Sequence, residues 1–265
     1  MNRIALDLGF IQIYWYSLTM LGGIIFGGLL TYIELKRQKM NIGYFFDMIF
    51  WVIIFGFLGA RFYYVIFNLD YYLANPKEII AIWNGGLAIH GAIIFGILTI
   101  VLYNLKHKKD KNEIIRYIDI CSLGILVGQI IGRWGNFFNR EAHGGVTTRL
   151  FLENLHIPNF IIEGMTINGV VYHPTFLYES ILNLIGLIFL LVIRKNKKIK
   201  VGMISSLYLI WYSIIRFFIE SMRTDSLMLF DLKMAQVISI ILCLIGLISF
   251  TISLKHSNSY NRKES

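Results

Sequence analysis

Residues 234–254 read MAQVISIILCLIGLISFTISL, a run of 21 residues without a charge. A helix of this length covers about 30 Å, which is the thickness of the hydrocarbon layer of a bilayer. Six further apolar runs precede it, at about 11–33, 44–67, 86–105, 117–138, 176–193 and 201–221. The sequence therefore predicts an all-α integral membrane protein with seven transmembrane helices, in which residues 1–265 form a single polytopic membrane domain.

The basic residues explain how the chain carries a net charge of +9 although 56% of its residues are apolar. Sixteen Lys or Arg residues lie in 34–43, 106–116, 194–200 and 255–265, and six lie in the alternate segments. This strict alternation is typical of the positive-inside rule and not of a nucleic-acid-binding surface. We therefore expect no nucleic-acid partner, an amino terminus outside the cytoplasm and a carboxyl terminus inside it.

One substantial loop, 139–175, is expected on the outer side as an extracytoplasmic head region. Two stretches in it, 160–164 and 168–172, read FIIEG and NGVVY. Asn-Gly followed by β-branched residues is typical of a tight hairpin turn. The loop is therefore predicted to contain a short hairpin formed by these two stretches.

Four cationic or titratable residues lie inside predicted spans: Arg61, His90, Arg133 and Arg216. A charge in the bilayer costs about 2.5 kcal/mol or more, so one that remains there usually has a function. At 1.5 Å per residue these four lie roughly 22–26 Å from the inner boundary, on four different helices. They are predicted to converge in one pocket beneath the outer surface. The alternative is that each arginine only snorkels to the nearer interface.

The neighbours of two of these arginines favour a shared site. Helical spacing puts four residues of the sixth span on one stripe: Tyr212, Arg216, Glu220 and Arg223. Glu220 is expected to pair with one of the two arginines. A similar face of the fourth span carries Gln129, Arg133, Asn136 and Arg140. Planar guanidinium groups match phosphate oxygens, so a phospholipid headgroup is the simplest ligand.

Three other functions were weighed. A transporter of an anionic or phosphorylated solute would also place cations inside a helical bundle, but it predicts a repeat and polar inner halves, and neither is evident. An intramembrane protease needs a Ser and His pair or paired aspartates, which the spans do not supply at this depth. A seven-helix receptor rests on the number of spans alone.

Four stretches identify a family. They are 85–91 (GGLAIHG), 132–145 (GRWGNFFNREAHGG), 173–179 (HPTFLYE) and 216–223 (RFFIESMR). In order and spacing, and together with Trp15-Tyr16 and Gly59-Ala60-Arg61, the chain resembles the bacterial prolipoprotein diacylglyceryl transferases. The stretch 132–145 is the most specific of the four.

The resemblance implies an activity. Members of this family transfer the diacylglyceryl group of phosphatidylglycerol to the lipobox cysteine of a prelipoprotein signal peptide, forming a thioether and releasing glycerol 1-phosphate. It implies a multi-pass protein of the bacterial cytoplasmic membrane, with no metal and no organic cofactor. His and Cys spacings in the chain match no zinc pattern.

The residues suit this chemistry. A free thiol has a pKa of about 8.5 and needs a base, and the imidazole of His90 is the natural one. Arg133 and Arg216 would stabilise the charge that grows on the leaving phosphate. By resemblance the catalytic set is His90, Arg133, Arg216 and Tyr212. The substrate-binding set is Tyr16, Arg61, Asn136, Glu141, Gly144, Glu220 and Arg223, where Glu141 is equally suited to fixing the loop and Gly144 is expected to permit a turn.

Overall fold

The computed structural model describes residues 3–9, 12–82, 85–226, 228–229, 232–255 and 258–261. In chain order the elements are β1 (Ile4–Asp7), β2 (Gln12–Tyr14), α1 (Trp15–Arg37), α2 (Ile42–Phe67), α3 (Leu69–Ala74), a 3-10 helix (Pro76–Ile80), α4 (Ile89–Lys106), α5 (Lys111–Asn139), α6 (Arg149–Asn154), α7 (Asn159–Gly164), β3 (Thr166–Ile167), β4 (Val170–Val171), α8 (Thr175–Ile193), α9 (Met203–Met222), β5 (Met228–Leu229), β6 (Leu232–Lys233) and α10 (Met234–Lys255).

Each predicted apolar run contains one long helix. Within the described residues, six of these helices are long and apolar enough to cross a membrane, and α4 is a shorter apolar helix. The predicted all-α membrane class is therefore confirmed. The first helix starts four residues later than predicted, because Gln12–Tyr14 pairs with Ile4–Asp7 as a hairpin. The helix α5 starts six residues earlier than predicted, because its polar first turns continue the helix beyond the apolar run.

The predicted hairpin is present, but its first strand was misplaced. Thr166–Ile167 pairs with Val170–Val171, and Asn168 and Gly169 have φ of 52° and 80°, as a tight turn of this type requires. Residues 160–164 are helical and belong to α7. The helix follows Pro158 and buries Ile161 and Ile162, which join a core cluster that includes residues of α5 and α8.

The chain forms two compact units, residues 1–39 with 115–265 and residues 40–114. In the larger unit, α1 lies so close to α5 that a Cβ atom on Gly27 would be 2.5 Å from the Gly124 carbonyl oxygen. In the smaller unit, a Cβ atom on Gly91 of α4 would be 2.2 Å from the Gly59 carbonyl oxygen of α2. Glycine at these positions lets the helix backbones touch.

A buried ionic network closes the basic end of the larger unit, where α1 ends. Glu34 has no exposed surface, and its carboxylate accepts hydrogen bonds from Arg37 at 2.6 and 2.9 Å and from the Tyr260 hydroxyl at 2.6 Å. Arg194, at the end of α8, forms a further ion pair with Glu34. The network therefore joins α1, α8 and the segment that follows α10.

The start of α9 is capped by a residue of α5. Gly202 precedes the helix and has no side chain to bind the first N–H groups. The buried Asp119 carboxylate accepts hydrogen bonds from the N–H groups of Gly202 at 2.7 Å and Ser205 at 2.8 Å. A negative charge at a helix amino terminus is favourable, so this contact fixes α9 against α5.

Candidate functional site

A buried carboxylate joins the two arginines of the larger unit. Glu179 lies one turn into α8, since the helix begins at Thr175, and its exposed fraction is 2%. Its Oε1 lies 2.7 Å from Nη2 of Arg133, and its Oε2 lies 3.5 Å from Nη1 of Arg216. The guanidinium groups of α5 and α9 therefore come together on one carboxylate of α8, in agreement with the convergence predicted for these two residues.

Arg216 is held on a second side by its own helix. Its Nη2 lies 2.6 Å from Oε2 of Glu220, one turn further along α9. This confirms the predicted pairing of Glu220 with an arginine. Each guanidinium has five N–H donors, and both arginine side chains are partly exposed. An anion can therefore bind to the remaining N–H groups while Glu179 and Glu220 hold the guanidinium planes in place.

Glu141 fixes the loop that follows α5. Its Oε1 accepts hydrogen bonds from the side-chain amides of Asn136 at 3.0 Å and Asn139 at 3.3 Å. The side-chain Oδ1 of Asn136 in turn accepts a hydrogen bond from Nη1 of Arg133 at 3.5 Å. The exposed Glu141 thus positions Asn136 beside Arg133. Of the two roles expected for Glu141, these contacts correspond to fixing the loop.

Gly144 is required for space and not for a turn, which corrects the expected role. Its backbone lies outside the left-handed region, and its N–H donates to the His173 carbonyl at 3.0 Å. A Cβ atom here would lie 2.8 Å from Cβ of His173 and 3.3 Å from the Met222 carbonyl oxygen. The loop therefore passes between the start of α8 and the end of α9. Burial lowers the pKa of the His173 imidazole that packs here.

Asp225 braces the end of α9 against the same loop. Arg223 donates hydrogen bonds to it from Nε at 3.0 Å and Nη2 at 3.1 Å, and the Ala142 N–H donates to it at 3.1 Å. Nη1 of Arg223 lies 3.9 Å from Glu220. Arg223, predicted to contact substrate, therefore has its main contacts with carboxylates of its own chain.

The contact between Asp225 and Arg223 predicts how the stability of the protein depends on pH. Burial acts to raise the pKa of Asp225, but the hydrogen bonds and charge of Arg223 outweigh it, so the pKa lies below its ordinary value. The pair therefore stabilises the fold fully above the ordinary carboxyl pKa of about 3.9, and this contribution is lost as the pH falls through the lower folded-state pKa.

We expect the melting temperature of Asp225→Asn to lie below that of the wild type by a constant amount between pH 5 and pH 8. Below about pH 4 the difference should shrink, and thermal unfolding across this range measures it. A difference that already shrinks near pH 6 would assign the effect to another group.

The two tyrosines of the predicted site lie on α1 and α9. A Cβ atom on Gly135 would lie 2.8 Å from Cδ2 of Tyr16, so this ring packs against α5 one residue before Asn136. Tyr212 lies one turn before Arg216 on α9, and its ring stacks on Tyr208 with centroids 6.1 Å apart. Both therefore belong to the unit that holds Arg133 and Arg216.

His90 and Arg61 belong to the smaller unit. His90 is exposed in the first turn of α4, with its ring 6.0 Å from that of Tyr63. Arg61 is buried and donates hydrogen bonds to backbone carbonyls of its own unit, and the headgroup contact expected for it stays a prediction. That His90 and Arg61 share one pocket with Arg133 and Arg216 stays a prediction.

Two residues that organise the candidate site were not predicted from the sequence. Glu179 lies within the motif 173–179 but has no predicted role there, and Asp225 lies outside the four motifs. The available signal was the scarcity of carboxylates in the spans, since an acidic residue there needs a basic partner. Arg133 and Arg216 are two such basic residues, so Glu179, near the start of a predicted span, was a candidate partner for them.

Over nearly its whole length the chain is similar to proteins of one family. A family model described as prolipoprotein diacylglyceryl transferase matches residues 3–252. A protein of Staphylococcus xylosus named phosphatidylglycerol–prolipoprotein diacylglyceryl transferase is 48% identical over 248 residues, which are 93% of this chain and 87% of that protein. Proteins of the same name from Lactobacillus acidophilus and Listeria welshimeri are each 44% identical, over 91% and 94% of this chain and 86% and 90% of their own lengths.

Proposed function

Because the chain belongs to the prolipoprotein diacylglyceryl transferases, we propose that it transfers the diacylglyceryl group of phosphatidylglycerol to the lipobox cysteine thiol of a prelipoprotein. This is the first step of bacterial lipoprotein maturation. The observation that carries the proposal is the pairing of Arg133 and Arg216 across Glu179. Two guanidinium groups held rigidly on separate helices suit a phosphate whose charge grows during the reaction.

The thiolate sulfur forms a bond to the glyceryl carbon that carries the phosphate ester, and the bond between this carbon and the ester oxygen breaks. Its electron pair stays on that oxygen, so glycerol 1-phosphate leaves with one more negative charge than the phosphate diester had. Arg133 and Arg216 stabilise this added charge, and the partial burial of both side chains strengthens the interaction relative to one in bulk water.

The thiol proton needs an acceptor, and His90 is the residue proposed for it. It is exposed at the start of α4, and imidazole is the side chain that most often serves as a general base. Asn136, fixed by Glu141, and the tyrosines Tyr16 and Tyr212 are proposed to hold the glycerol headgroup through hydrogen bonds.

The chain is a multi-pass membrane protein of a bacterial family. We propose that it lies in the cytoplasmic membrane, with its amino terminus and the head region 139–175 outside and its carboxyl terminus inside. The alternation of basic segments along the sequence supports this orientation. A phospholipid then reaches the arginines from the outer leaflet, and the prelipoprotein presents its cysteine on the same side.

The test uses purified protein, phosphatidylglycerol and a lipobox peptide, with released glycerol 1-phosphate as the readout. The wild type should release it, and His90→Ala and Arg133→Ala should each lower the rate by at least about 100-fold. Arg149→Ala is the control, since Arg149 is exposed on α6 and contacts Glu153 and Asn159. Unchanged turnover in both site variants would refute the site assignment, and a wild type without release would refute the function.

A further inference from the structure

The Arg61 guanidinium donates hydrogen bonds to backbone carbonyls of the 3-10 helix and of the two glycines that precede α4. In the 3-10 helix it donates to the carbonyls of Glu78 at 2.6 Å and Ile79 at 2.8 Å. Before α4 its Nη1 donates to the carbonyls of Gly85 at 2.7 Å and Gly86 at 2.8 Å. Each of its three nitrogens is therefore engaged with a backbone carbonyl.

The environment of Arg61 is unusual for a buried cation. Its exposed fraction is 8%, and one face of the guanidinium lies 5.3 Å from the centre of the Tyr72 ring. Among the described residues no carboxylate forms an ion pair with it, and the Glu78 carboxylate instead accepts a hydrogen bond from Tyr71. Carbonyl dipoles and an aromatic face therefore balance the charge. A buried charge is retained at this expense only where its geometry matters.

The backbone of Gly85 and Gly86, shortly before His90, follows this contact. Gly85 and Gly86 have φ of 84° and 80°, which directs both of their carbonyls to Nη1. A Cβ atom on Gly86 would lie 2.5 Å from that nitrogen. Two residues later, the Ala88 N–H donates to the Ala60 carbonyl at 3.0 Å, directly before α4 begins. Arg61 and its neighbour Ala60 thus fix the approach to the turn that carries His90.

We propose that Arg61 is a positioning residue for His90 and not a ligand of the phospholipid headgroup. The inference rests on the proposed function, in which His90 accepts the thiol proton. A base displaced by about 1 Å loses on the order of 100-fold in rate, so a rigid support of this kind has a kinetic effect. Lysine cannot replace Arg61, because one ammonium group cannot reach carbonyls of both the 3-10 helix and the two glycines.

The competing role for Arg61 is physically distinct. A cavity of about 600 Å³ lies beside it and is lined by Tyr64, Asn68, Tyr71, Glu78 and Gly86, among others. The N–H groups of Arg61 already donate hydrogen bonds to backbone carbonyls. To bind a headgroup in this cavity, Arg61 would have to break some of these hydrogen bonds. Headgroup contact would be seen in KM for phosphatidylglycerol, whereas positioning of His90 would be seen in kcat.

The experiment measures glycerol 1-phosphate release by Arg61→Lys, His90→Ala and the double variant, with Arg149→Lys as the exposed arginine control. We expect Arg61→Lys to lower kcat by at least about tenfold, with KM for phosphatidylglycerol within about twofold of the wild type. The double variant should be no slower than His90→Ala by more than about twofold, because the effect of Arg61 passes through His90. Raised KM with normal kcat, or losses that multiply in the double variant, would overturn the inference.

Gly86→Ala disturbs the same contact from the loop side and covers the case in which Arg61→Lys does not fold. Its Cβ atom would press on Nη1 while the guanidinium stays in place. A folded Gly86→Ala protein with reduced kcat and unchanged KM supports the positioning role, and one with normal kcat refutes it. Wild-type protein that releases no glycerol 1-phosphate would instead count against the proposed function.

Discussion

Replacing Glu179 with glutamine is expected to lower kcat by about 100-fold while the protein stays folded. The carboxylate contacts Arg133 on α5 and Arg216 on α9, so it sets the spacing between two guanidinium groups that are proposed to bind one phosphate. Glutamine keeps the size of the side chain but removes the charge that holds them. Without this charge the two cations repel each other across a poorly hydrated space and move apart.

The rate of glycerol 1-phosphate release measures this effect, and the folded state is checked by thermal unfolding in detergent. Glu153→Gln is a matched control, because this glutamate also pairs with an arginine but is exposed on α6. It should leave kcat within about twofold of the wild type. If Glu179→Gln turned over at the wild-type rate, the spacing of the two guanidinium groups would not depend on Glu179.

Replacing Glu34 with alanine is expected to have the largest effect on stability. The carboxylate is fully buried and neutralises Arg37 and Arg194, so its removal leaves two cations without their partner. Breaking a buried pair in this way costs about 3–5 kcal/mol. In a protein of this size, that corresponds to a fall in melting temperature of about 10 °C.

Two further variants are expected to lose less stability than Glu34→Ala and serve as comparisons. Tyr260→Phe removes one hydrogen bond to Glu34 and should cost about 1 kcal/mol. Glu153→Ala removes an exposed ion pair and should cost less than about 1 kcal/mol. Differential scanning fluorimetry in one detergent compares all three. Equal melting temperatures for Glu34→Ala and Glu153→Ala would show that the buried ion pairs of Glu34 stabilise the protein no more than the exposed pair of Glu153.

Sequence predicted the helices well because each is specified locally. An apolar run of about 20 residues has to be helical in a membrane whatever surrounds it, and all seven runs contain a helix. The tight turn at Asn168-Gly169 is equally local, because only its two residues set the positive φ values. The strand expected at 160–164 failed because a short apolar stretch fits a buried helical turn as well as a strand.

The partners of the arginines could not be predicted in the same way. Arg133 and Arg216 were placed at one depth by counting along their helices, but their shared contact with Glu179 depends on how α5, α8 and α9 pack. Arg61 illustrates the other case. Its position on α2 was predictable, whereas its acceptors are backbone carbonyls of the 3-10 helix and of Gly85 and Gly86, and no side-chain pattern identifies these.

The cap that Asp119 provides for α9 also bears on how the chain is made. The carboxylate precedes the N–H groups it binds by 83 and 86 residues, so at translation it enters the membrane well before its partners exist. Until α9 is inserted, this acidic group has to stay near water or be shielded by other helices. A ribosome-bound chain that ends after α8 should therefore be a prominent substrate for membrane chaperones and proteases, and one extended through α9 should escape them.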